Sequence, residues 1–116
     1  LYAVEGKIVP AGQVVRFGTG ISVELPTDTV GLVFARSGLA TKRNLAPANK
    51  VGVVDSDYRG EIIVALHNFG MKDEEIVAGE RIAQLVIMPY YTAEFEISDE
   101  LGVTARGDGG FGSTGK

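Results

Sequence analysis

Four short segments carry residue types that could do chemistry together. Arg36-Ser37-Gly38 stands where an apolar run gives way to a helical pattern. A helix N-terminus offers free N–H donors and a partial positive charge, which suits a phosphate. An adjoining guanidinium improves that fit by binding phosphate oxygens bidentately. The plainer reading makes Ser37 a helix N-cap and leaves Arg36 solvated. Val51 to Gly60 places Asp55 and Asp57 straight after an apolar strand. A partly buried Asp55 could act there as a general base toward water, while a hairpin turn explains the same Asp, Ser and Gly residues. The segment opens like a calcium loop, D-x-D-x-x-G, but Arg59 at the fifth position and Leu66 at the twelfth exclude that reading. Gln84 lies inside the apolar run Arg81–Ile87, where a buried amide needs either a backbone partner or a ligand. The last segment, Arg106 to Lys116, is glycine-rich, with Phe111 among the glycines and hydroxyls at Ser113 and Thr114. It suits either a mobile tail or a flap ordered by phosphate oxygens, and an aromatic there could stack on a base. Gly110 to Lys116 fits G-x-x-x-x-G-K, but no helix follows, so a P-loop is excluded.

Composition removes other chemistries. The chain has no Cys and a single His, so thiol nucleophiles, disulfides and Cys- or His-cluster metal sites are excluded. His67 has no visible catalytic partner and reads as a structural residue near a strand end. A formal net charge of −4 argues against a nucleic-acid partner held by phosphate contacts. The longest apolar runs, such as Leu85–Met88, fall far short of a membrane span, and no signal peptide opens the chain. A cytoplasmic domain (nuclear or viral according to source) is expected, with chemistry resting on carboxylates, hydroxyls, arginines and backbone.

The elements that must position these residues read mainly as strands. Val14–Phe17, Ile21–Leu25, Val30–Phe34, Lys50–Val54, Glu61–Leu66, Glu75–Val77, Arg81–Met88 and Thr92–Ile97 are β segments by alternation or apolar run. Asp73-Glu74-Glu75 reads as a solvated turn. Turn signals every eight to twelve residues point to an all-β sandwich, jelly roll or barrel. One short helix is expected, from Ser37 to Arg43. The 16 glycines among 116 residues are about double the usual ~7%, which weighs against a helical bundle. The length predicts one domain, residues 1–105, followed by the glycine-rich tail 106–116.

Taken in order, four segments closely resemble the trimeric dUTPase family: Ala35-Arg-Ser-Gly-Leu-Ala40, Gly52-Val-Val-Asp-Ser-Asp-Tyr-Arg-Gly60, Arg81-Ile-Ala-Gln-Leu-Val-Ile87 and Arg106-Gly-Asp-Gly-Gly-Phe-Gly-Ser-Thr-Gly115. They match the family's second to fifth motifs and span essentially the whole chain. The resemblance implies an all-β jelly-roll or distorted barrel with one short helix. It implies a homotrimer with shared active sites, and Mg²⁺-dependent hydrolysis of dUTP to dUMP and pyrophosphate. Such an activity limits uracil in DNA and supplies dUMP for thymidylate synthesis. Carried over by position, Asp55 would activate the attacking water, and Tyr58 would pack under the deoxyribose and exclude a 2′-hydroxyl. Asn49 and the backbone of Gly52, Val53, Val54 and Asp55 would read uracil. Arg36, Ser37, Gly38 and Gln84 would hold the phosphates. Arg106, Phe111, Gly112, Ser113 and Thr114 would close over the substrate from a neighbouring chain. No side chain would bind Mg²⁺ directly; the phosphates and water would hold it. The family's first motif, A-G-x-D-L, is matched only by its end, Leu1-Tyr2-Ala3, so its metal-organising Asp is not among these residues. Either the chain is truncated there or the metal site is weakened. Ala35, where many relatives carry Pro or Gly, is expected to be tolerated. The nearest rival is dCTP deaminase or its bifunctional relative, which share the fold but lack such a tail and differ around the Asp55 segment; a second is a non-catalytic module of the same fold that binds the nucleotide as a regulatory partner.

Overall fold

The computed structural model describes residues 1–115. Eight short strands and one helix form three antiparallel sheets around a single core. In chain order they are β1 (Lys7–Val9), β2 (Val14–Gly18), β3 (Thr29–Phe34), α1 (Ser37–Arg43), β4 (Leu45–Pro47), β5 (Gly52–Val54), β6 (Ile63–Asn68), β7 (Glu74–Ile76) and β8 (Gln84–Pro89). The sheets run β1-β7, β2-β6-β4 and β5-β3-β8. Alternation decides which side chains enter the core: Phe17, Val64, Leu66, Leu45, Val9 and Ile76 are sealed from solvent. The all-β architecture with a single short helix is the one expected from the sequence.

Several boundaries differ, each for a physical reason. Ile21–Leu25 forms no strand, because it crosses between sheets. Single ties to Ile62 take the place of a ladder: the Ile62 N–H donates to the Ile21 carbonyl at 2.8 Å, and the buried Thr19 hydroxyl donates to the Ile62 carbonyl at 2.7 Å. Thr92–Ile97 also forms no strand, since no edge of the chain pairs with it; Phe95 and Ile97 are fully exposed. Every hydrogen bond found for residues 91–115 stays within that segment. Glu74 and Glu75 are not a solvated turn: they begin β7, and Glu74 is half-buried against Arg43. β1 and β4, three residues each, were not visible in the alternation.

One buried polar knot holds the far end of β6. Asn68 is inaccessible to solvent, and its amide donates to the Val9 carbonyl at 2.9 Å and the Lys72 carbonyl at 2.8 Å. Its side-chain oxygen accepts the Gly70 N–H at 2.9 Å. Such a group is tolerable inside only because each of its polar atoms is paired. No helix among the described residues is long and apolar enough to cross a membrane.

Candidate active site

β3 is the common beam of the site. Along one edge Val33 pairs with Gly52 of β5, and along the other Phe34 pairs with Gln84 of β8. The chain leaves β3 directly into Ala35-Arg36 and helix α1. Three of the four sequence segments are thereby gathered on one strand and its two neighbours.

The first group of residues shares a cavity of about 220 Å³ lined by the end of β4, the connection into β5, β5 itself and the start of β6. Asn49, Gly52, Val53, Val54, Asp55 and Tyr58 line it, joined by Val33, Pro47, Glu61, Ile62, Ile63, Val64 and Ala65. That volume is below the roughly 300–1,000 Å³ of drug-sized pockets, so it is a small site. Gly52 keeps it open. A Cβ there would stand 3.0 Å from the Val33 Cβ and 3.3 Å from the Asn49 amide nitrogen. β5 is an edge strand, so half of its backbone N–H and C=O groups have no ladder partner and face outward. A row of alternating donors and acceptors in that position can pair with a planar ring edge.

Tyr58 is placed by the turn that follows β5. Its N–H donates to the Asp55 carbonyl at 3.1 Å, and its hydroxyl donates to the Glu61 carbonyl at 2.8 Å. The phenol lies so close over Gly60 that a Cβ at that residue would meet the Tyr58 Oη at 2.4 Å. Arg59 braces the same turn, donating to the Ser56 carbonyl at 2.7 Å and facing Glu24 at 3.7 Å. Asp55 stands exposed at the rim of the cavity rather than partly buried, because it follows the last residue of β5 on the open side. Among the described residues its carboxylate has no hydrogen-bond or ion-pair partner.

The second group sits beside α1. Arg36, not Ser37, is the N-cap, and no side chain caps the helix. The first-turn amides thus keep their unsatisfied donors. Ser37 and Gly38 are exposed at that end. Arg36 Nη1 donates to the Arg81 carbonyl at 3.2 Å, and Gln84 Nε2 donates to the Ala35 carbonyl at 2.9 Å. Gln84 is exposed at the start of β8 rather than buried inside it, and its partner is backbone. None of these four residues lines the 220 Å³ cavity.

The third group, Arg106, Phe111, Gly112, Ser113 and Thr114, lies in a chain of turns that touches neither of the others by hydrogen bond. Arg106 Nε donates to the Gly109 carbonyl at 2.6 Å, and the Ser113 N–H to the Gly110 carbonyl at 3.1 Å. Phe111 is fully exposed and holds a positive φ of 49°. Lys116 lies outside the described residues. Within one chain β3 therefore holds the first two groups side by side, while the third makes no hydrogen bond to either.

Sequence reading missed Glu61, whose carbonyl anchors Tyr58 and whose carboxylate accepts the Gly20 N–H at 2.8 Å. It also missed Arg43, whose partners Glu74 and Glu80 are 31 and 37 residues away. No local pattern announces a contact at that separation.

A family model described as dUTPase matches residues 1–115. The deoxyuridine 5'-triphosphate nucleotidohydrolase of Desulfitobacterium hafniense is 55% identical over 108 residues, covering 92% of this chain and 72% of that protein. A mutant dUTPase of Staphylococcus bacteriophage 80alpha, solved with dUpNHpp, matches with a TM-score of 0.92 at 27% identity, over 100% of this chain and 84% of that one. A mutant dUTPase from phage phi11 of S. aureus, described as coordinating a structural Mg(II) ion, matches with a TM-score of 0.79 over 86% of this chain and 81% of that one. At 22% identity this last likeness speaks for the fold alone. The β architecture is the jelly-roll-like one of these neighbours. With the motif order, the cavity and the relatives in agreement, the chain belongs to the dUTPase family.

Proposed function

We propose that this chain hydrolyses dUTP to dUMP and pyrophosphate by water attack at the α-phosphorus, with Asp55 as the general base. The observation that carries the assignment is the single cavity that brings Asn49, the Gly52–Asp55 backbone and Tyr58 together with Asp55 at its mouth. Asn49 and the free edge of β5 read uracil, and an exocyclic amine in place of the O4 oxygen would set donor against donor. Tyr58 floors the deoxyribose and leaves no space for a 2′-hydroxyl. From the cavity the phosphates extend toward Arg36, Ser37, Gly38 and Gln84, the first three at the open N-terminal end of α1 and the last opposite Phe34 of β3. Asp55 takes a proton as the water oxygen bonds to the α-phosphorus and the bond to the bridging oxygen breaks, releasing pyrophosphate. Phosphoryl transfer of this kind depends on positioning and charge neutralisation more than on a covalent nucleophile.

Mg²⁺ fits this site as an ion carried on the substrate. Hard cations take phosphate and water oxygens, and among the described residues no three His, Asp or Glu side chains converge. When bound, the ion supplies neutralising charge on the phosphate oxygens.

The complete site is assembled from a homotrimer. The tail residues make no hydrogen bond to the other two groups within one chain, and the outer face of the β5-β3-β8 sheet supports the same reading. Register places Val30, Leu32, Phe34, Val53, Val86 and Met88 on that face, with Gln84 at its end. Val53, Val86 and Met88 are exposed in the single chain, at 62%, 44% and 44%. A neighbouring copy on that face covers apolar surface and borders two residues of the site. Residues 1–105 then form the β domain, and the tail from Arg106 onward is a flap that closes over a neighbour's substrate, with Phe111 on the base and Arg106, Gly112, Ser113 and Thr114 on the terminal phosphate. A cytoplasmic or viral setting agrees with this chemistry.

The test is Asp55→Asn, assayed for pyrophosphate release from dUTP and for dUpNHpp binding by calorimetry. Turnover should be lost while the analogue binds within about threefold of the parent, since the amide keeps the shape and loses only the base. Binding that collapses along with turnover would remove Asp55 from that role.

A further inference from the structure

The seven-residue helix α1 carries the phosphate-facing residues at one end and Arg43 at the other. Arg43 is engaged through all three guanidinium nitrogens. Nε donates to Glu74 Oε2 at 2.8 Å, Nη1 to Glu80 Oε1, and Nη2 to the Glu75 carbonyl. All three charged side chains are half-buried. The Glu74 hydrogen bond leads the effects that raise the Arg43 pKa, against an opposing effect of burial.

Glu80 is itself fixed on several sides. Its N–H donates to the Val77 carbonyl at 3.1 Å, its carbonyl accepts the Ala3 N–H at 2.9 Å, and Oε2 accepts the Val77 N–H at 3.1 Å. One residue later the Arg81 carbonyl receives Arg36, and at Gln84 the side chain reaches back to Ala35. The helix is thus pinned to the segment 80–84 at both ends. A helix of this length is about 10 Å long, so a tilt of about 6° around one end moves the other by about 1 Å. A misplacement of that size can cost up to about 10²-fold in rate.

We propose that Arg43 is a positioning residue for the phosphate chain: through Glu80 and Glu74 it fixes where α1 presents Arg36, Ser37 and Gly38 relative to Gln84. It acts without touching substrate. The inference rests on the assignment of those four residues to the phosphates. It also makes a specific demand, because Arg43, Glu74 and Glu80 lie outside the base cavity. Loosening the clasp should weaken the grip on a triphosphate and leave the grip on base and sugar intact. A purely structural arginine would lower stability without separating the two.

The experiment compares the parent chain with Arg43→Met, Arg43→Lys and Glu80→Gln. It measures calorimetric affinities for dUMP and dUpNHpp with Mg²⁺, steady-state kinetics with dUTP, and thermal unfolding. Arg43→Met should weaken dUpNHpp about tenfold and leave dUMP within about twofold. Glu80→Gln should move the same ratio in the same direction, and Arg43→Lys should recover part of it. If Arg43→Met fails to fold, the Lys and Gln variants carry the test through the same ratio. Equal loss of both ligands, or unchanged affinities with lowered stability, would overturn the proposal. If the parent itself binds dUpNHpp no more tightly than dUMP, the phosphate assignment fails first and the proposal falls with it.

Discussion

Gly60→Ala separates what the Asp55–Gly60 turn does for folding from what it does for substrate. A Cβ at this position would stand 2.4 Å from the Tyr58 Oη and 2.6 Å from its Cζ, well inside contact distance. Gly60 is not among the glycines with positive φ, so alanine adopts the backbone without strain. Relief comes at the end of the Tyr58 side chain: the phenol swings out and gives up its 2.8 Å bond to the Glu61 carbonyl. That bond contributes about 1 kcal/mol net. Replacing glycine by alanine returns roughly 0.4–1 kcal/mol by restricting the unfolded chain. The two nearly cancel, so the melting temperature should stay within about 4 °C of the parent. The pocket does not enjoy such compensation. Losing one wall of a fitted site costs about 1–3 kcal/mol in kcat/KM, roughly 10–200-fold, and the space opened under the sugar admits a 2′-hydroxyl. The assay is kcat/KM for dUTP and for UTP beside a thermal melt. Efficiency with dUTP should fall at least about tenfold, and the dUTP-to-UTP ratio should fall with it. An unchanged ratio in a normally folded variant would refute the placement of Tyr58 under the sugar.

Two further perturbations test the assembly. Val86→Glu puts a charge in the middle of the apolar β5-β3-β8 face. Sedimentation should then report a single-chain mass with β-type circular dichroism retained, and turnover should be lost; a persisting trimer would place the interface elsewhere. Removing the tail from Arg106 onward should reduce dUTP turnover at least about 10²-fold, the scale of a lost closing element, while the sedimenting mass per assembly changes only by the deleted residues. Dissociation on truncation would make the tail a structural tie instead of a flap.

What the sequence disclosed, and what it hid, follows from the range of the interactions. β2, β3 and β6 were legible because each alternates over five or six residues against a core on one side. Ile21–Leu25 alternates as well, yet its hydrogen bonds go to Thr19 and Ile62 in place of a ladder. Thr92–Ile97 carries a strand pattern that pairs with no strand among the described residues. The cavity residues from Asn49 to Tyr58 were legible through the family resemblance, and because they are nearly contiguous, the connection into β5 and the turn after it deliver them to one place. The position of Asp55 at the rim, and the exposure of Gln84, were not, since apolar neighbours in sequence do not reveal which end of a strand opens to solvent. Arg43 with Glu74 and Glu80 was hidden for a related reason: charges far apart in sequence read as solvated until the fold brings them together.

The pairing of β3 with Gly52 on one edge and Gln84 on the other has a consequence for quality control. A one-residue slip of that strand would turn Val33 out of the core, and so would be costly in its own right. The same slip would shift the cavity at Gly52 and the end of α1 nearest Gln84 against each other, since both take their position from adjacent residues of β3. Correct folding and chemical competence are therefore checked by a single event. A population of these chains should divide into native molecules and unfolded ones, with no long-lived, half-working impostors between them.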